Sequence, residues 1–406
     1  MDAVAVLGTL PPIRGLSSYC REFAIALAKT RTVHFISFKH LYPAALYPGG
    51  NLREDRSFPP MPSGNLIVKR RLSWFNPLTW LMEGLLTPGD ILHAQWWSLP
   101  LAPVYWVVCL GFRLRRKPVV FTVHNVVSHE PSILYRWATA CLFCLGRSFI
   151  VHTRLNKQQL TDIYGISPDR IHVIPHGPLG FRTIENPDHE GIRNRLGILS
   201  SENLLLVFGA IRPYKGIDTA LKAFAQVLKT IPECRLLIAG KLWESWEPYD
   251  RLIRDLGILD RVILHPDYIP ASDVAGYFVA ADMVLLPYHH FDSQSGVGAT
   301  ALGFGKPMIV SDAGGLAEFV ADPRCVAPSG NPSALASAIV DCLLDRTRLE
   351  SMARDSAAIA GDMSWSGIIR KTCDVYRENG KNRRQNSEVS RKSVKSFSYD
   401  GVKLSE

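Results

Sequence analysis

The sequence predicts an α/β protein built from two doubly wound domains. Its 406 residues are too many for one ordinary hydrophobic core, and two domains of about 150–200 residues are the natural division. Residues 204–240 show the pattern of strand, glycine turn, cationic loop, amphipathic helix and strand, which is one βαβ unit. A second strand–loop–helix–strand pattern follows at residues 281–320. Alternation of this kind favours parallel sheets covered by helices on both faces.

Short apolar runs predict the strands of the first domain, which we place at residues 1–180. Apolar segments of helical character separate several of these runs. The N-terminal residues lack a basic segment ahead of their short apolar run, so we interpret them as the first strand rather than a signal peptide. The predicted strands are residues 3–7, 33–38, 90–93, 119–123, 149–152 and 171–174.

The second domain is placed at residues 181–362 and opens with a polar linker at 181–193. Residues 363–378 predict a final helix with apolar residues at helical spacing. Residues 379–406 are polar, serine-rich and basic, and they predict a disordered tail. The predicted strands of the second domain are residues 204–208, 236–239, 261–264, 283–286 and 308–310.

Charge is distributed unevenly along the chain. Residues 1–180 carry 19 Lys and Arg against 9 Asp and Glu, whereas residues 181–380 carry 20 against 25. A basic first half indicates an anionic partner, and we expect a membrane surface rather than nucleic acid because no nucleic-acid motif is present. The eight cysteines are scattered and mostly lie in apolar stretches, which is typical of a reducing, cytoplasmic setting.

Two tryptophan-bearing apolar segments lie in this basic half. Residues 96–112 carry no charge and are followed by a cationic run, residues 113–117. Proline at two positions and a length of seventeen residues argue against a bilayer span. The segment is therefore either a buried helix or a helix lying in the membrane plane, and residues 73–86 form the second such segment.

Arg212 and Lys215 lie in the turn that follows the strand predicted at 204–208. Ligands of open α/β sheets bind at the carboxyl ends of the strands, and helix N-termini also favour anions. Two cations beside a helix start suit a diphosphate, although a solvated turn would show the same residues. Both residues could stabilise the charge that builds on a leaving diphosphate.

These segments resemble the retaining glycosyltransferases of family 4. The resemblance rests on a "G…KG…A" segment around Gly209, Lys215 and Gly216, and on a "QSG…GKP…SD.GG..E" segment from Gln294 to Glu318. It implies the GT-B fold, in which two Rossmann-like domains face a central cleft. It also implies a nucleotide-diphosphate sugar as donor, and a final helix that returns to the first domain.

The resemblance implies several donor-binding positions. Gly296 and Val297 begin a helix after the turn that contains Ser295, and their amides are expected to receive phosphate oxygens. Asp292 and Thr300 occupy the two positions at which the family usually has glutamates, for the transferred sugar and for the ribose. A threonine offers one hydroxyl where a carboxylate accepts two hydrogen bonds, so this sequence departs from the family pattern there.

Two further positions come from the first domain. Gly15 remains from a loop that usually carries two glycines near the donor phosphates, with Arg14 in place of the other. His124 follows the strand predicted at 119–123 and resembles the histidine that positions the sugar at its reacting carbon. The ordinary alternative for a single histidine after a strand is a structural role.

A competing pattern overlaps the second motif. Residues 296–301 also fit the dinucleotide-binding pattern GxGxxA. A true fingerprint places its first glycine directly after a strand, whereas residues 287–295 intervene here. We therefore favour the sugar-nucleotide interpretation.

The sequence predicts a retaining hexosyltransferase that uses GDP-mannose or a UDP-hexose. We expect no metal cofactor, because no acidic metal-binding pair is evident and the cationic turn can replace one. The expected acceptor is a lipid-linked saccharide of surface polysaccharide (exopolysaccharide) biosynthesis, at the cytoplasmic face of the membrane. Two alternatives are a catalytically silent homologue that acts as a binding partner, and a nucleotide-sugar epimerase.

Overall fold

The computed structural model describes residues 2–13, 16–43, 46, 54–62, 64–127, 133–179 and 188–396, with side chains up to residue 380. The first domain alternates strands and helices around one parallel sheet. Its elements are β1 (Ala3–Leu7), α1 (Ser17–Ala28), β2 (Thr32–His40), β3 (Leu66–Ser73), α2 (Pro77–Leu86), β4 (Ile91–Trp96), α3 (Ala102–Leu114), β5 (Val119–Val123), α4 (Ile133–Phe143), β6 (Ser148–Val151), α5 (Arg154–Tyr164) and β7 (Ile171–Val173).

The second domain repeats the arrangement and ends in a long helix. Short 3₁₀ turns follow several strands of both domains, including Leu99–Leu101 after β4 and Pro213–Lys215 after β8. The elements are α6 (His189–Arg195), β8 (Asn203–Phe208), α7 (Ile217–Thr230), β9 (Cys234–Ala239), α8 (Glu247–Asp255), β10 (Val262–His265), α9 (Ala271–Ala280), β11 (Met283–Leu286), α10 (Gly296–Gly303), β12 (Met308–Ser311), β13 (Val326–Ala327), α11 (Pro332–Leu344), α12 (Arg346–Asp362) and α13 (Trp365–Ser396).

Both sheets are parallel and doubly wound, as the sequence predicts. The first has the order β3-β2-β1-β4-β5-β6-β7, and the second has the order β10-β9-β8-β11-β12-β13. In each sheet the chain starts in the middle, winds outward, and then returns to build the other half. The strand order therefore reverses beside β1 and β4 in one sheet and beside β8 and β11 in the other, which creates a crevice at each reversal.

Apolar side chains cover both faces of each sheet. Helix α7 shows why these residues form a helix, since Ile217, Leu221, Phe224 and Val227 recur at helical spacing and are all buried. Burial of each such side chain stabilises the fold by about 1.5–3 kcal/mol. Gly216 precedes the helix with φ of +67°, and a Cβ there would overlap the carbonyl oxygen of Pro287.

Helix α13 returns the chain to the first domain. It follows α12, which packs on α10 of the second domain, and it packs on the first domain through Ile369, Cys373 and Tyr376, in the cluster that also contains residues of α1. The Tyr376 hydroxyl lies 2.5 Å from His93 Nδ1, and Trp365 Nε1 donates a hydrogen bond to Pro178 O at 2.8 Å.

The structure differs from the sequence prediction in four places. The charged edge strand β3 and the two-residue β13 were not predicted, because the apolar run of β3 ends after three residues at Lys69 and β13 consists only of a valine and an alanine. Helix α6 begins inside the predicted linker, where Asp188 caps it by accepting a hydrogen bond from Gly191 N. The backbone of residues 379–396 continues α13, where a disordered tail was predicted, and the rest of that predicted tail, residues 397–406, lies outside the described residues. No proline interrupts residues 379–396, and a polar segment can extend a helix that is already nucleated.

The apolar segment at residues 96–112 proves to be a strand end, a 3₁₀ turn and helix α3. The helix buries Val104, Tyr105, Val108 and Phe112 in the core of the first domain. Among the described residues, no helix is long and apolar enough to cross a bilayer.

Candidate functional site

A cavity of about 470 Å³ lies between the two domains. Residues after β1 and β4 form one side of it, including Tyr19 and Trp97. Residues after β8 and β11 form the other side, including Arg212 and Ser293. The cavity therefore joins the two crevices that the strand orders create, which is where open α/β sheets bind ligands.

Lys215 and Arg212 form a cationic wall of this cavity. Lys215 is buried, and its Nζ donates hydrogen bonds to Phe208 O at 3.2 Å and to the Tyr288 hydroxyl at 3.0 Å. The Arg212 guanidinium lies 3.6 Å from the centroid of the Trp243 ring. Among the ion pairs of the described residues, none includes either cation, so the wall keeps its positive charge for a ligand.

The environment of Lys215 disfavours the positive charge of its ammonium group. Burial lowers the pKa of Lys215, and the positive charge of Arg212 adds to this effect, while Tyr214 opposes it. Gly209 lies against the ammonium with φ of +93°, and a Cβ there would be 3.2 Å from Lys215 Nζ. An anionic ligand would supply the missing countercharge.

The N-terminus of α10 faces the same cavity. Ser295 caps the helix by accepting a hydrogen bond from Gly298 N at 3.4 Å, and its hydroxyl lies 3.2 Å from that of Tyr288. Gly296 and Val297 both line the cavity, and neither amide has an acceptor among the described residues. Since a helix N-terminus carries partial positive charge, these amides are suited to phosphate oxygens.

The two positions that replace the family's glutamates lie outside the cavity lining. The side chain of Asp292 points to α5, where its Oδ1 accepts a hydrogen bond from Gln159 Nε2 at 3.4 Å, and its backbone oxygen accepts one from Asn156. Thr300 is buried inside α10, and its hydroxyl donates to Gly296 O at 2.7 Å. The spacing in the sequence is therefore correct for the family, but neither side chain reaches the cavity wall.

His124 lies on the first-domain side of the cavity with two other histidines that also follow strands. Tyr19 packs against all three, at centroid distances of 4.7 Å from His124, 5.5 Å from His152 and 4.7 Å from His176. Burial lowers the pKa of each histidine, to about 4 for His152 and about 3 for His176. The cluster is consequently uncharged at neutral pH.

Hydrogen bonds fix the orientation of the His124 ring. His152 Nδ1 donates to Ile174 O at 2.9 Å, so the neutral ring presents Nε2 as an acceptor to His124 Nδ1 at 3.1 Å. His124 Nε2 then requires a donor, and it lies 2.9 Å from the side-chain amide of Gln95. Among the described residues the Gln95 nitrogen has no partner, so exchanging the two ends of that amide completes the chain of hydrogen bonds.

The structure brings together most, but not all, of the predicted residues. His124, Arg212, Lys215, Gly296 and Val297 line the cavity, and Ser295 supports it as the helix cap. Gly15 and Arg14 lie outside the described residues. Sequence analysis missed Tyr19, Trp97, Trp243 and Gln294 as site residues. Tyr19 ends the segment that resembles the family's glycine loop, Trp97 lies in the apolar segment 96–112, and Trp243 has no motif around it. Gln294 belongs to the QSG segment and accepts a hydrogen bond from His176 N at 2.6 Å.

Two Rossmann-like sheets that face each other across such a cleft form the GT-B fold of glycosyltransferases, and comparison with known proteins agrees. Residues 13–177 match the family described as Glycosyltransferase Family 4, and residues 188–358 match the one described as Glycosyl transferases group 1. The chain belongs to the family 4 glycosyltransferases.

Individual proteins give the same result. A D-inositol 3-phosphate glycosyltransferase of Acidothermus cellulolyticus is 27% identical over 360 residues, which cover 82% of this chain and 77% of that protein. A sucrose-phosphate synthase of Thermosynechococcus elongatus has a similar fold, with a TM-score of 0.72 at 18% identity over 94% of this chain and 100% of that one. Anabaena HepE in complex with UDP and glucose has a TM-score of 0.71 at 18% identity over 93% and 100%.

Proposed function

We propose that this glycosyltransferase moves a hexose from a nucleotide-diphosphate sugar to a saccharide acceptor, with retention at the anomeric carbon. The observation that carries the proposal is the cradle formed by Arg212, Lys215 and the amides of Gly296 and Val297. It offers positive charge and free N–H donors in one place, opposite an uncharged histidine cluster. A diphosphate has the charge and the oxygens that this wall can receive.

The proposed chemistry follows from this polarity. The bond between the anomeric carbon and the diphosphate oxygen breaks, and the bond to the acceptor oxygen forms on the same face of the sugar. The acceptor hydroxyl gives its proton to the departing phosphate oxygen. The cationic wall stabilises the charge that develops on the diphosphate, which is commonly the largest contribution of such a site. Neutral His124 can hold the sugar without repelling positive charge at the reacting carbon.

Transfer is proposed to proceed without a divalent metal, since the two cations already face the diphosphate position. The test is to assay transfer in excess EDTA and after addition of Mg²⁺ or Mn²⁺. Full activity in EDTA is expected. Activity that disappears in EDTA and returns with metal would contradict the proposed site.

The proposed donor is a UDP-hexose or GDP-mannose, and the Anabaena structure, which holds UDP and glucose, supports the first. The proposed acceptor is a lipid-linked saccharide of surface polysaccharide synthesis. The first domain contributes aromatic and uncharged polar groups to the cavity, namely Tyr42, Trp97, Ser98 and Asn125, which suit a sugar ring. The curated relative acts on D-inositol 3-phosphate, so this compound is the competing acceptor to include in the assay.

The primary experiment has two stages. Thermal shift against UDP, GDP and ADP identifies the base, because a ligand that binds the folded state raises its melting temperature. The sugar nucleotides of that base are then tested for transfer, and the anomeric configuration of the product is determined. Absence of stabilisation by any nucleoside diphosphate would refute the donor assignment.

We also propose that the chain associates with the cytoplasmic face of an anionic membrane through α2. The solvent side of this helix is apolar, since Leu78 and Leu86 are each 68% exposed and Met82 is 56% exposed. Its polar side chain Glu83 is instead buried and accepts a hydrogen bond from Thr87. The simplest explanation for a helix whose apolar face points to solvent is that this face binds a membrane interface.

Residues 113–117 contain four cations beside this surface, but only two of them are available to contact lipid. Arg113 and Arg116 are exposed at the end of α3, beside the exposed Leu114. Arg115 instead donates hydrogen bonds to Gly84 O and Thr87 O at the end of α2, and Lys117 pairs with Asp90 at 3.3 Å. A symmetric homodimer on this face would bring its arginines together, whereas anionic lipid would neutralise them.

Vesicle co-sedimentation tests the membrane proposal. Leu78→Asn with Leu86→Asn should abolish binding to vesicles of phosphatidylglycerol and phosphatidylcholine, and Arg113→Gln with Arg116→Gln should weaken it in a salt-dependent way. Leu344→Asn is the matched control, because Leu344 is 66% exposed but lies on the second domain. Equal binding by all variants would refute the assignment of this face.

A second candidate function is supported by one observation. Neither Asp292 nor Thr300 lines the cavity, so the carboxylates that the family pattern implies for the sugar and the ribose are missing from its wall. A catalytically silent homologue that binds a nucleotide sugar would show this arrangement. Stabilisation by a nucleoside diphosphate with neither transfer nor donor hydrolysis would favour it, whereas a new sugar isomer without a new glycosidic bond would indicate an epimerase.

A further inference from the structure

The carboxylate of Asp55, a first-domain residue, is hydrogen-bonded to residues of the second domain. Asp55 lies in the segment 54–62 between β2 and β3, where most residues are exposed, yet Asp55 itself is 5% exposed. Its Oδ2 accepts hydrogen bonds from the Tyr268 hydroxyl at 2.7 Å and from Ala271 N at 3.1 Å. Both donors belong to the second domain.

These contacts cap a helix of the other domain. Ala271 is the first residue of α9, and the residue before it is Pro270, whose side chain cannot accept a hydrogen bond. The first-domain segment supplies the cap instead, since Ser57 Oγ accepts a hydrogen bond from Ser272 N at 3.2 Å. A negative carboxylate at a helix N-terminus is favourable both as a hydrogen-bond acceptor and because of the helix dipole.

The carboxylate is held in the charged form that such a cap requires. Its Oδ1 accepts hydrogen bonds from Ser57 N at 2.9 Å and from Ser57 Oγ at 2.6 Å. Burial alone would raise the pKa of Asp55, but these bonds and those from Tyr268 and Ala271 outweigh it and lower the pKa. Both carboxylate oxygens of Asp55 therefore accept hydrogen bonds that favour the charged form.

The same residue is tied to the loop that leads into the cavity. Asp55 N donates a hydrogen bond to Pro12 O at 2.8 Å, and the Arg70 guanidinium donates one to Pro11 O. Leu16 and Tyr19, which come a few residues after these prolines in sequence, line the cavity. A movement of α9 away from Pro12 must break either the side-chain contacts of Asp55 with Tyr268 and Ala271 or its backbone hydrogen bond to Pro12 O.

We propose that Asp55 is a positioning residue that holds the two domains closed, by capping α9 across the domain boundary while anchoring the loop after β1. It acts on the reaction through the closed arrangement, because the phosphate cradle belongs to the second domain and the histidine cluster belongs to the first. The cradle alone should still bind a nucleoside diphosphate when the domains separate. Transfer needs both walls, so the effect on turnover rests on the proposed function, whereas the effect on shape does not.

Asp55→Ala is the principal variant, with Ser57→Ala and Tyr268→Phe as milder ones that keep the proposal testable if the first is poorly folded. Loss of one cap and its charge should reduce the ratio of closed to open molecules about tenfold. Where closed and open molecules are about equally populated in the parent, this change lowers the closed fraction from about 50% to about 9%, so kcat should fall about fivefold and the radius of gyration from small-angle X-ray scattering should increase. The Kd for UDP, or for whichever nucleoside diphosphate binds, should stay within twofold of the parent.

Asp345→Ala is the matched control, because Asp345 caps α12 within the second domain by accepting a hydrogen bond from Arg348 N at 3.0 Å. It should lower the melting temperature by a similar amount and leave both kcat and the radius of gyration unchanged. The proposal is overturned if Asp55→Ala behaves like this control, or if it weakens nucleotide binding as much as turnover. If the parent shows no transfer at all, the proposed function fails, while the scattering comparison still decides the role of Asp55.

Discussion

Replacing Lys215 by methionine tests whether the cationic wall acts on a leaving diphosphate. The side chain is 6% exposed and packs 4.8 Å from the centroid of the Tyr288 ring. Methionine has a similar length and volume, so the replacement removes the charge and two hydrogen bonds without leaving a large cavity. Activity and stability are expected to respond in different ways.

The loss of activity should be large. One preorganised donor aimed at developing negative charge contributes about 3–4 kcal/mol, so kcat should fall about 10²–10³-fold in Lys215→Met. Affinity for the nucleoside diphosphate should also fall, because the buried ammonium has no carboxylate partner among the described residues and is available to the ligand.

The change in stability should be small. The hydrogen bonds to Phe208 O and to the Tyr288 hydroxyl contribute about 1 kcal/mol each, and relief from burying the charge offsets them. We expect a melting temperature within about 3 °C of the parent. Burial lowers the pKa of Lys215, so the cost of its charge is present at neutral pH and shrinks as the pH rises towards the unfolded value of about 10.4. The melting temperature of Lys215→Met relative to that of the parent should therefore be higher near pH 7 than near pH 10.

The measurements are initial rates at saturating donor, calorimetric titration with UDP, and thermal unfolding at pH 7 and pH 10. Lys222→Met is the matched control, because Lys222 lies on the exposed side of α7 and pairs with Asp218 at 3.5 Å. It should leave kcat unchanged. A parental kcat in Lys215→Met would refute the leaving-group role, and a melting temperature lowered by much more than about 3 °C would show that the lysine is chiefly structural.

Three further predictions follow from the same site. In Gly296→Ala the new Cβ would lie 3.7 Å from Leu179 Cδ1, so the protein should fold normally while calorimetry shows UDP binding weakened about tenfold or more, since the methyl group occupies the approach to two amides. In Thr300→Val the Kd for UDP should remain within twofold of the parent, because the Thr300 hydroxyl already donates a hydrogen bond to Gly296 O. A tenfold loss of affinity for UDP would instead support the predicted contact between Thr300 and the ribose. Because burial lowers the pKa of His152 to about 4, the free energy of unfolding should decline as the pH falls from 6.5 to about 4, and His152→Gln should reduce that slope by about 1.4 kcal/mol per pH unit in chemical denaturation.

The strands that could be predicted from sequence are continuous apolar runs, and a glycine marks the end of some of them. Strand β8 ends before Gly209 and β9 ends before Gly240, and both glycines have positive φ in the structure. Strand β3 escaped prediction because three of its eight residues are Lys or Arg and it lies at the edge of its sheet. An edge strand needs an apolar contribution on only one side, so its sequence resembles a loop.

The candidate site shows a related limit. Spacing along a motif predicts where the backbone passes, as it does for the turn that carries Ser295 and Gly296. It does not predict which way a side chain turns, and Asp292 turns to α5 while Thr300 turns into its own helix. The role of Asp55 at the domain boundary carries no local signal, because its partners in the second domain lie more than 200 residues away in sequence.

The electrostatic difference between the two walls of the cavity leads to one further conclusion. The second domain presents a lysine, an arginine and two helix amides, while the first domain presents three histidines that burial keeps neutral. If sugar transfer develops negative charge on the diphosphate and positive charge on the sugar, each wall matches the charge that forms against it. A protonated histidine cluster would repel the positive charge that develops on the sugar. The burial that makes the cluster costly to protonate is therefore also what suits it to the proposed reaction.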